Sequence, residues 1–305
     1  MTGAPGSVLV VGSVNADLVV GVDRRPAAGE TVLGSDLATF PGGKGANQAV
    51  AAARLGASVA FLGRVGTDSF AAFLRGNLDR EGVATGQLLA VPGPSGVALI
   101  TVDPAGDNSI IVAPGANARL TPEAIEAARP AFEAARVVSA QLEVPVAAVE
   151  AAARLAALAG ARFILNLSPA RGVPPALLAA ADPLVVNEHE AGFLLGDALP
   201  DPERARPVAS ATALLARGPR SVVITLGADG AYAADAGGGA HVRSPKVTVA
   251  DTTGAGDAFT GALAWRLSLG DTLPQAAAFA VRVGAAAVTG RGAQGSYPTR
   301  DQVPS

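Results

Sequence analysis

The run Asp251-Thr252-Thr253-Gly254-Ala255-Gly256-Asp257 leads directly into Ala258-Phe259-Thr260-Gly261-Ala262-Leu263. A glycine-rich turn thus opens an apolar, helix-patterned segment, with a carboxylate at the junction. The first N–H groups of a helix have no intrahelical partners, and the helix dipole leaves partial positive charge there. Glycines let that backbone approach an anion closely. The segment is suited to hold a phosphate, or the charge that develops as one is transferred. An anion hole beside a carboxylate base is what phosphoryl transfer to a hydroxyl requires. The two histidines, His189 and His241, stand in unrelated contexts. A histidine metal site or a Ser-His-Asp triad is therefore not expected, and base duty falls to a carboxylate, Asp257.

Five further sites carry polar groups at element ends. Gly42-Gly43-Lys44-Gly45-Ala46-Asn47-Gln48 opens the first long helix; it lacks the Ser or Thr and the glycine spacing of a Walker A loop. Its glycines would let a ligand touch backbone N–H groups, and Lys44 and Asn47 add donors suited to hydroxyls. Gly12-Ser13-Val14-Asn15-Ala16-Asp17 follows the first strand, where open α/β sheets bind ligands. Asn15 and Asp17 suit the hydroxyls of a polyol, and equally suit a plain turn. Glu143 ends another strand and reads either as a hydroxyl ligand or as a solvated loop residue. Asn187-Glu188-His189-Glu190 joins a strand to a helix. Asn187 and Glu190 stand at capping-box spacing, and the same side chains could order Mg²⁺ near nucleotide phosphates. Thr225-Leu226-Gly227-Ala228-Asp229-Gly230 could hold phosphates or flank an adenosine, or be a simple hairpin turn.

The elements that must position these groups alternate. Short β-branched runs at 7–11, 58–62, 136–140, 162–167, 184–186 and 221–225 predict strands. Alanine-rich helical patterns fall at 45–55, 69–81, 122–132, 146–159, 188–195, 202–216, 255–269 and 273–289. Gly56 and Gly270 follow helix ends as C′ residues. The alternation predicts an α/β fold whose mostly parallel sheet is covered on both faces. Two segments, about 16–40 and 95–113, break the rhythm. A hairpin is expected around residues 103–108, and together the two segments suit a small sheet serving as a lid over a cleft. No internal repeat or long linker interrupts residues 1–305, which read as one domain.

Composition narrows the function classes. The 305 residues are half hydrophobic, enough for a sizeable core, and the formal net charge is −3 with no basic stripe. Nucleic acid and anionic membrane are not expected partners. No cysteine is present, so disulfides and thiolate metal sites are excluded, and a cytoplasmic setting is compatible. No signal peptide and no membrane span are expected.

Taken in order, these motifs resemble the PfkB carbohydrate kinase family, over nearly the whole chain. Residues 42–53 match the first family motif and Asp251 to Phe259 the second. The resemblance implies a ribokinase-like three-layer α/β/α fold with a small β-sheet lid. It implies ATP-dependent phosphorylation of D-ribose at the 5-hydroxyl, with deoxyribose, another pentose or a nucleoside as the alternative substrate. Asp257 would be the base, and Gly254, Ala255 and Gly256 the anion hole. Gly42, Gly43, Lys44, Asn47, Asn15, Asp17 and Glu143 would bind the sugar. Asn187, Gly256 and residues Thr225, Leu226, Gly227, Ala228, Asp229 and Gly230 would contact ATP, with Glu190 aiding Mg²⁺. A K⁺ site would use Asp251, Thr253, Ala287, Gly290, Gly292 and Ser296. The lid would pair with a second copy, giving a homodimer. One position departs: where the family usually offers Asn or His toward the base, this chain has Val281, followed by Arg282. A non-catalytic sugar-binding protein on the same fold is the second class. A nicotinamide dehydrogenase is disfavoured, since no G-x-G-x-x-G follows the first strand.

Overall fold

The computed structural model describes residues 3–104, 108–196, 199 and 206–304. A nine-stranded sheet forms its centre, in the order β13-β12-β11-β10-β9-β8-β1-β4-β5. The strands are β1 (Ser7–Val11), β4 (Ser58–Val65), β5 (Ala84–Ala90), β8 (Val137–Ala140), β9 (Arg162–Asn166), β10 (Leu184–Asn187), β11 (Ser221–Thr225), β12 (Ala231–Asp235) and β13 (Gly238–Val242). All pairings are parallel except those made by the final hairpin, β12 and β13.

Alternate residues of each strand point to opposite faces. Val8 and Val10 of β1 join one core with helices α1 (Lys44–Arg54), α9 (Ala255–Leu269) and α10 (Leu273–Ala287). Leu9 and Val11 join the other core, with α3 (Pro122–Ala127), α4 (Arg129–Ala134), α5 (Val146–Ala159), α6 (Pro175–Ala180), α7 (Glu188–Leu195) and α8 (Pro207–Leu215). Helix α2 (Ser69–Arg80) packs on β4 and β5 and adds Leu74 and Leu78 to the first of these cores. The three-layer α/β/α expectation is met. Among the described residues no helix is long and apolar enough to cross a membrane.

A second, four-stranded sheet has the order β3-β2-β6-β7, from β2 (Asn15–Gly21), β3 (Ala38–Gly42), β6 (Gly96–Val102) and β7 (Asn108–Ala113). It comes from the two segments that broke the alternation. Residues 105–107 of the expected hairpin turn, and 202–205 of the expected helix 202–216, lie outside the described residues.

Some local expectations are corrected. The helix read across 122–132 is two, interrupted at Ala128 because Pro130 has no N–H to continue the ladder. Asn15 and Asp17 do not sit in a turn; they begin β2. Strands β5 and β13 and helix α6 had no clear signal, being short and of mixed composition.

Candidate active site

Helix α9 begins as its glycines suggested. Gly254 is its N-cap in the left-handed region (φ 75°), and a Cβ there would lie 2.7 Å from that of Ala293, so only glycine fits. The Ala255 N–H is taken by Thr252 C=O at 3.3 Å and the Ala258 N–H by Gly254 C=O at 2.9 Å. Among the described residues no acceptor takes the N–H of Gly256 or Asp257. These two donors are open at the positive end of a fifteen-residue helix. Tyr297 Oη donates to the Gly254 carbonyl at 3.0 Å and fixes the turn from behind.

Asp257 is buried, 7% exposed, in the first turn of α9. Its Oδ2 accepts from Asn47 Nδ2 at 3.0 Å and its Oδ1 from Gln48 Nε2 at 3.2 Å. Burial pushes its pKa up, with help from Glu143, and outweighs the opposing pull of Lys44, Asn47 and Gln48. Lys44 lies between carboxylates. Burial disfavours its charge, but Asp257, Glu143 and Glu190 together raise its pKa. A cavity of about 220 Å³ gathers Lys44, Asn187, Glu190, Thr225, Gly254, Gly256 and Asp257 in its lining.

The N-terminus of α1 differs from its sequence expectation. Gly43 takes φ 88°, and Gly45 packs on the backbone of Gly12 so closely that a Cβ would lie 2.8 Å away. The Lys44 N–H donates to Glu143 Oε2 at 3.1 Å, the Gly45 N–H to Ser13 Oγ at 3.4 Å, and the Ala46 N–H to Ser13 C=O at 2.9 Å. Ser13 Oγ also donates to Glu143 Oε2 at 2.6 Å. The protein itself satisfies this helix end, so its amides are not a ligand site. The motif instead projects Lys44 and Asn47 toward Asp257.

On the small sheet, Asn15 is buried and its Oδ1 accepts from Asn117 Nδ2 at 2.7 Å. Asn117 also bonds the Val14 N–H, at 3.0 Å. Asp17 is half-buried. Burial, then Glu143 and Asp257, push its pKa up to about 7. Gly42 faces the Asp17 carboxylate so closely that any side chain there would overlap it. Asn15, Asp17, Gly42, Gly43, Asn47 and Glu143 do not line the cavity just described.

Asn187 and Glu190 form the capping box: Glu190 N–H to Asn187 Oδ1 at 2.7 Å, Asn187 N–H to Glu190 Oε2 at 2.9 Å. Glu190 is buried and, while capping the helix, also lines the cavity. After Thr225, Leu226 turns into the core, while Gly227, Ala228 and Asp229 form an exposed turn stopped by Gly230 at φ 94°. The turn is closed on itself, the Leu226 N–H donating to Gly230 C=O at 2.8 Å and the Asp229 N–H to Leu226 C=O at 3.0 Å. Val281 is buried in the core and presents no side chain to a ligand.

The remaining carboxylate, Asp251, holds a loop together. Its Oδ1 accepts the Thr253 N–H at 2.9 Å and its Oδ2 the Gly292 N–H at 2.8 Å. Burial acts to raise its pKa, but these hydrogen bonds and the charge of Arg291 outweigh it and hold the group below its ordinary value. Gly290 abuts Ser296 and its N–H reaches Ala287 C=O at 3.3 Å. The six expected cation-site residues thus fall in the turn at 251–253, at the last residue of α10, Ala287, and in the loop 290–296 that follows it. Among the described residues no group of three or more His, Cys, Asp or Glu is arranged to hold a metal ion.

Sequence reasoning missed Gln48, Asn117, Asn166, Gln294 and Tyr297. Asn166 lines the cavity, and its Oδ1 accepts from Gln48 Nε2 at 3.1 Å. Buried amides have no local sequence signature; only the position of Gln48 beside Asn47 could have pointed to one of them.

The model of the pfkB family carbohydrate kinases matches residues 6–300. The chain belongs to that family. It is 40% identical to the ribokinase of Bacillus subtilis over 97% of this chain and 98% of the relative. It is 36% identical to the deoxyribokinase of Salmonella typhi over 97% and 96%. The structure of Arabidopsis thaliana ribokinase complexed with ribose and ATP superposes with a TM-score of 0.88 at 31% identity, covering 98% of this chain and 97% of that one.

Proposed function

We propose that this chain transfers the γ-phosphoryl group of ATP to the 5-hydroxyl of D-ribose, giving ribose 5-phosphate and ADP. The observation that carries this is Asp257, a buried carboxylate beside two untaken N–H groups at the open end of α9. Asp257 accepts the proton of the attacking hydroxyl. Its raised pKa brings it nearer to that of a group that can take the proton at neutral pH. The open N–H groups of Gly256 and Asp257, in the turn that Gly254 and Ala255 begin, hold the developing charge, and Lys44 adds a positive charge beside it. Asn15, Asp17, Gly42, Gly43, Asn47 and Glu143 form the sugar side. Asn187 and residues 225–230 form the nucleotide side.

Glu190, a buried carboxylate in the cavity, fits a hard divalent cation and would hold Mg²⁺ through water, neutralising phosphate oxygens. Asp251 with Thr253, Ala287, Gly290, Gly292 and Ser296 suits K⁺, since these turns offer carbonyl oxygens and one ionised carboxylate. The small sheet acts as a lid. Ladder register puts Phe40, Ile110 and Val112 on the face that carries Asn15 and Asp17. All three are more than 40% exposed, an apolar face that a second copy would cover in a homodimer. The use of ATP and the absence of cysteine support a cytoplasmic setting.

The similarity to a deoxyribokinase favours one second reading, 2-deoxyribose as the substrate. Coupled ADP release on both sugars tests the pair. The ribose reading expects a clear preference for ribose, because a site that hydrogen-bonds a hydroxyl penalises its loss. Equal or faster turnover on 2-deoxyribose would replace it, and no ADP release with any sugar would leave a binding protein.

A further inference from the structure

The two oxygens of Asp257 are held by two different side-chain amides, and an amide helps a carboxylate only if its nitrogen faces inward. Two anchors enforce that orientation. Gln48 Oε1 accepts from Ser139 Oγ at 3.0 Å and from Gln141 Nε2 at 2.6 Å, which leaves Nε2 for Asp257 Oδ1 and Asn166 Oδ1. Asn47 Oδ1 accepts from Gln294 Nε2 at 3.0 Å, which leaves its Nδ2 for Asp257 Oδ2. Gln294 is oriented in turn, since its Oε1 accepts from Asn77 Nδ2 at 2.7 Å. Its backbone carbonyl accepts from Arg54 at 2.6 Å. Gln48 is fully buried and Gln294 nearly so.

We propose that Gln48 and Gln294 are positioning residues for the reaction, keeping both amides donor-side toward Asp257 and so holding the base ionised and aimed. This rests on the kinase reading above. Gln48 works directly on the carboxylate and Gln294 through Asn47. A reversed Asn47 or Gln48 would turn a carbonyl oxygen onto the carboxylate, opposing ionisation. Asn47 is thereby assigned to the base as well as to the sugar side. Gln294 belongs to the same loop as Gly292, which bonds Asp251, and Tyr297, which bonds Gly254. One short segment therefore braces both the base and the anion hole. The charged and titratable groups within electrostatic reach of Asp257 are Lys44 on α1, Glu143 after β8, Asp17 on β2 and Tyr297. Replacing either glutamine by methionine leaves all four in place and changes only the hydrogen bonds.

The test is the pH profile of Gln48→Met and Gln294→Met with ribose and ATP. Losing a donor to the ionised form raises the base's pKa. The acid limb of kcat/KM should move up by about one pH unit, so that on the acid side of that limb kcat/KM falls about tenfold. The lost activity should return as pH rises, with KM for ribose within about twofold of wild type. Ser139→Ala, which keeps the Gln141 donor, should shift the limb in the same direction by less, and decides the matter if the methionine variants do not fold. An unmoved acid limb, a loss independent of pH, or a loss expressed only in KM overturns the positioning role while wild-type turnover leaves the kinase reading standing. A wild type that phosphorylates no sugar overturns both.

Discussion

Two helices open on glycines beside Asp257, and their first turns are in opposite states. The first amides of α1 are taken by Glu143 and Ser13, while the Gly256 and Asp257 amides of α9 are untaken among the described residues. Both starts combine a positive-φ glycine with a following helix of eleven or more residues. The glycine turn alone therefore does not make an anion site. What decides is whether the protein supplies its own acceptor. At α1 it does, so that helix serves to aim Lys44, Asn47 and Gln48. At α9 it does not, and the end stays open, as the proposed phosphoryl site requires.

Breaking the open end should cost most. Gly254→Ala forces a Cβ against Ala293 at a φ that alanine resists. It should lower kcat about a hundredfold, the scale of one lost oxyanion donor, with ribose affinity little changed. A kcat near wild type in steady-state assays would mean that the α9 amides are not the anion hole.

Breaking the closed end should act on stability first. Glu143→Ala removes the acceptor for both Ser13 and the Lys44 N–H. Urea unfolding should show a loss of about 2 kcal/mol, and Glu143→Gln, which keeps an acceptor oxygen, should lose less. Equal stability of wild type and Glu143→Ala would show that the α1 end does not need its acceptor.

The sugar side should show the smallest effect, with a distinctive pH dependence. The Asp17 pKa is pushed up to about 7 in the folded chain, from 3.8. A carboxylate raised on folding makes the fold less stable as pH climbs from about 4 through 7, because ionisation is then penalised in the folded state. Asp17→Asn should therefore be more stable than wild type above pH 7 by an amount on the order of 1 kcal/mol, screening by solvent keeping it small. The gap should close below about pH 4. Thermal melts across pH would show it, and a gap constant with pH would contradict the raised pKa. The same variant should raise KM for ribose.

The open end was legible because its signal is local: glycine turn, carboxylate and apolar run occupy thirteen consecutive residues, 251–263. The α/β layering was legible for the same reason, from short-range periodicity. The closed end was not, because its acceptor Glu143 is 99 residues from Lys44. Nor was the holding of the base, where Asn47 and Asp257 stand 210 residues apart. Asn15 and Asp17 looked like turn residues by type and proved to start a strand, since ladder pairing with Gly42 and Gly96 overrides local preference. Pro130 was present in the sequence, yet the apolar period across 122–132 concealed the break it causes.

The central claim is that Asp257 takes the hydroxyl proton while the α9 amides hold the phosphoryl group. The most direct measurement is kcat and ribose affinity of Asp257→Asn, which keeps the volume and removes the base. The account predicts kcat lower by about 10²–10⁴-fold with ribose binding retained. Turnover within a fewfold of wild type would contradict it.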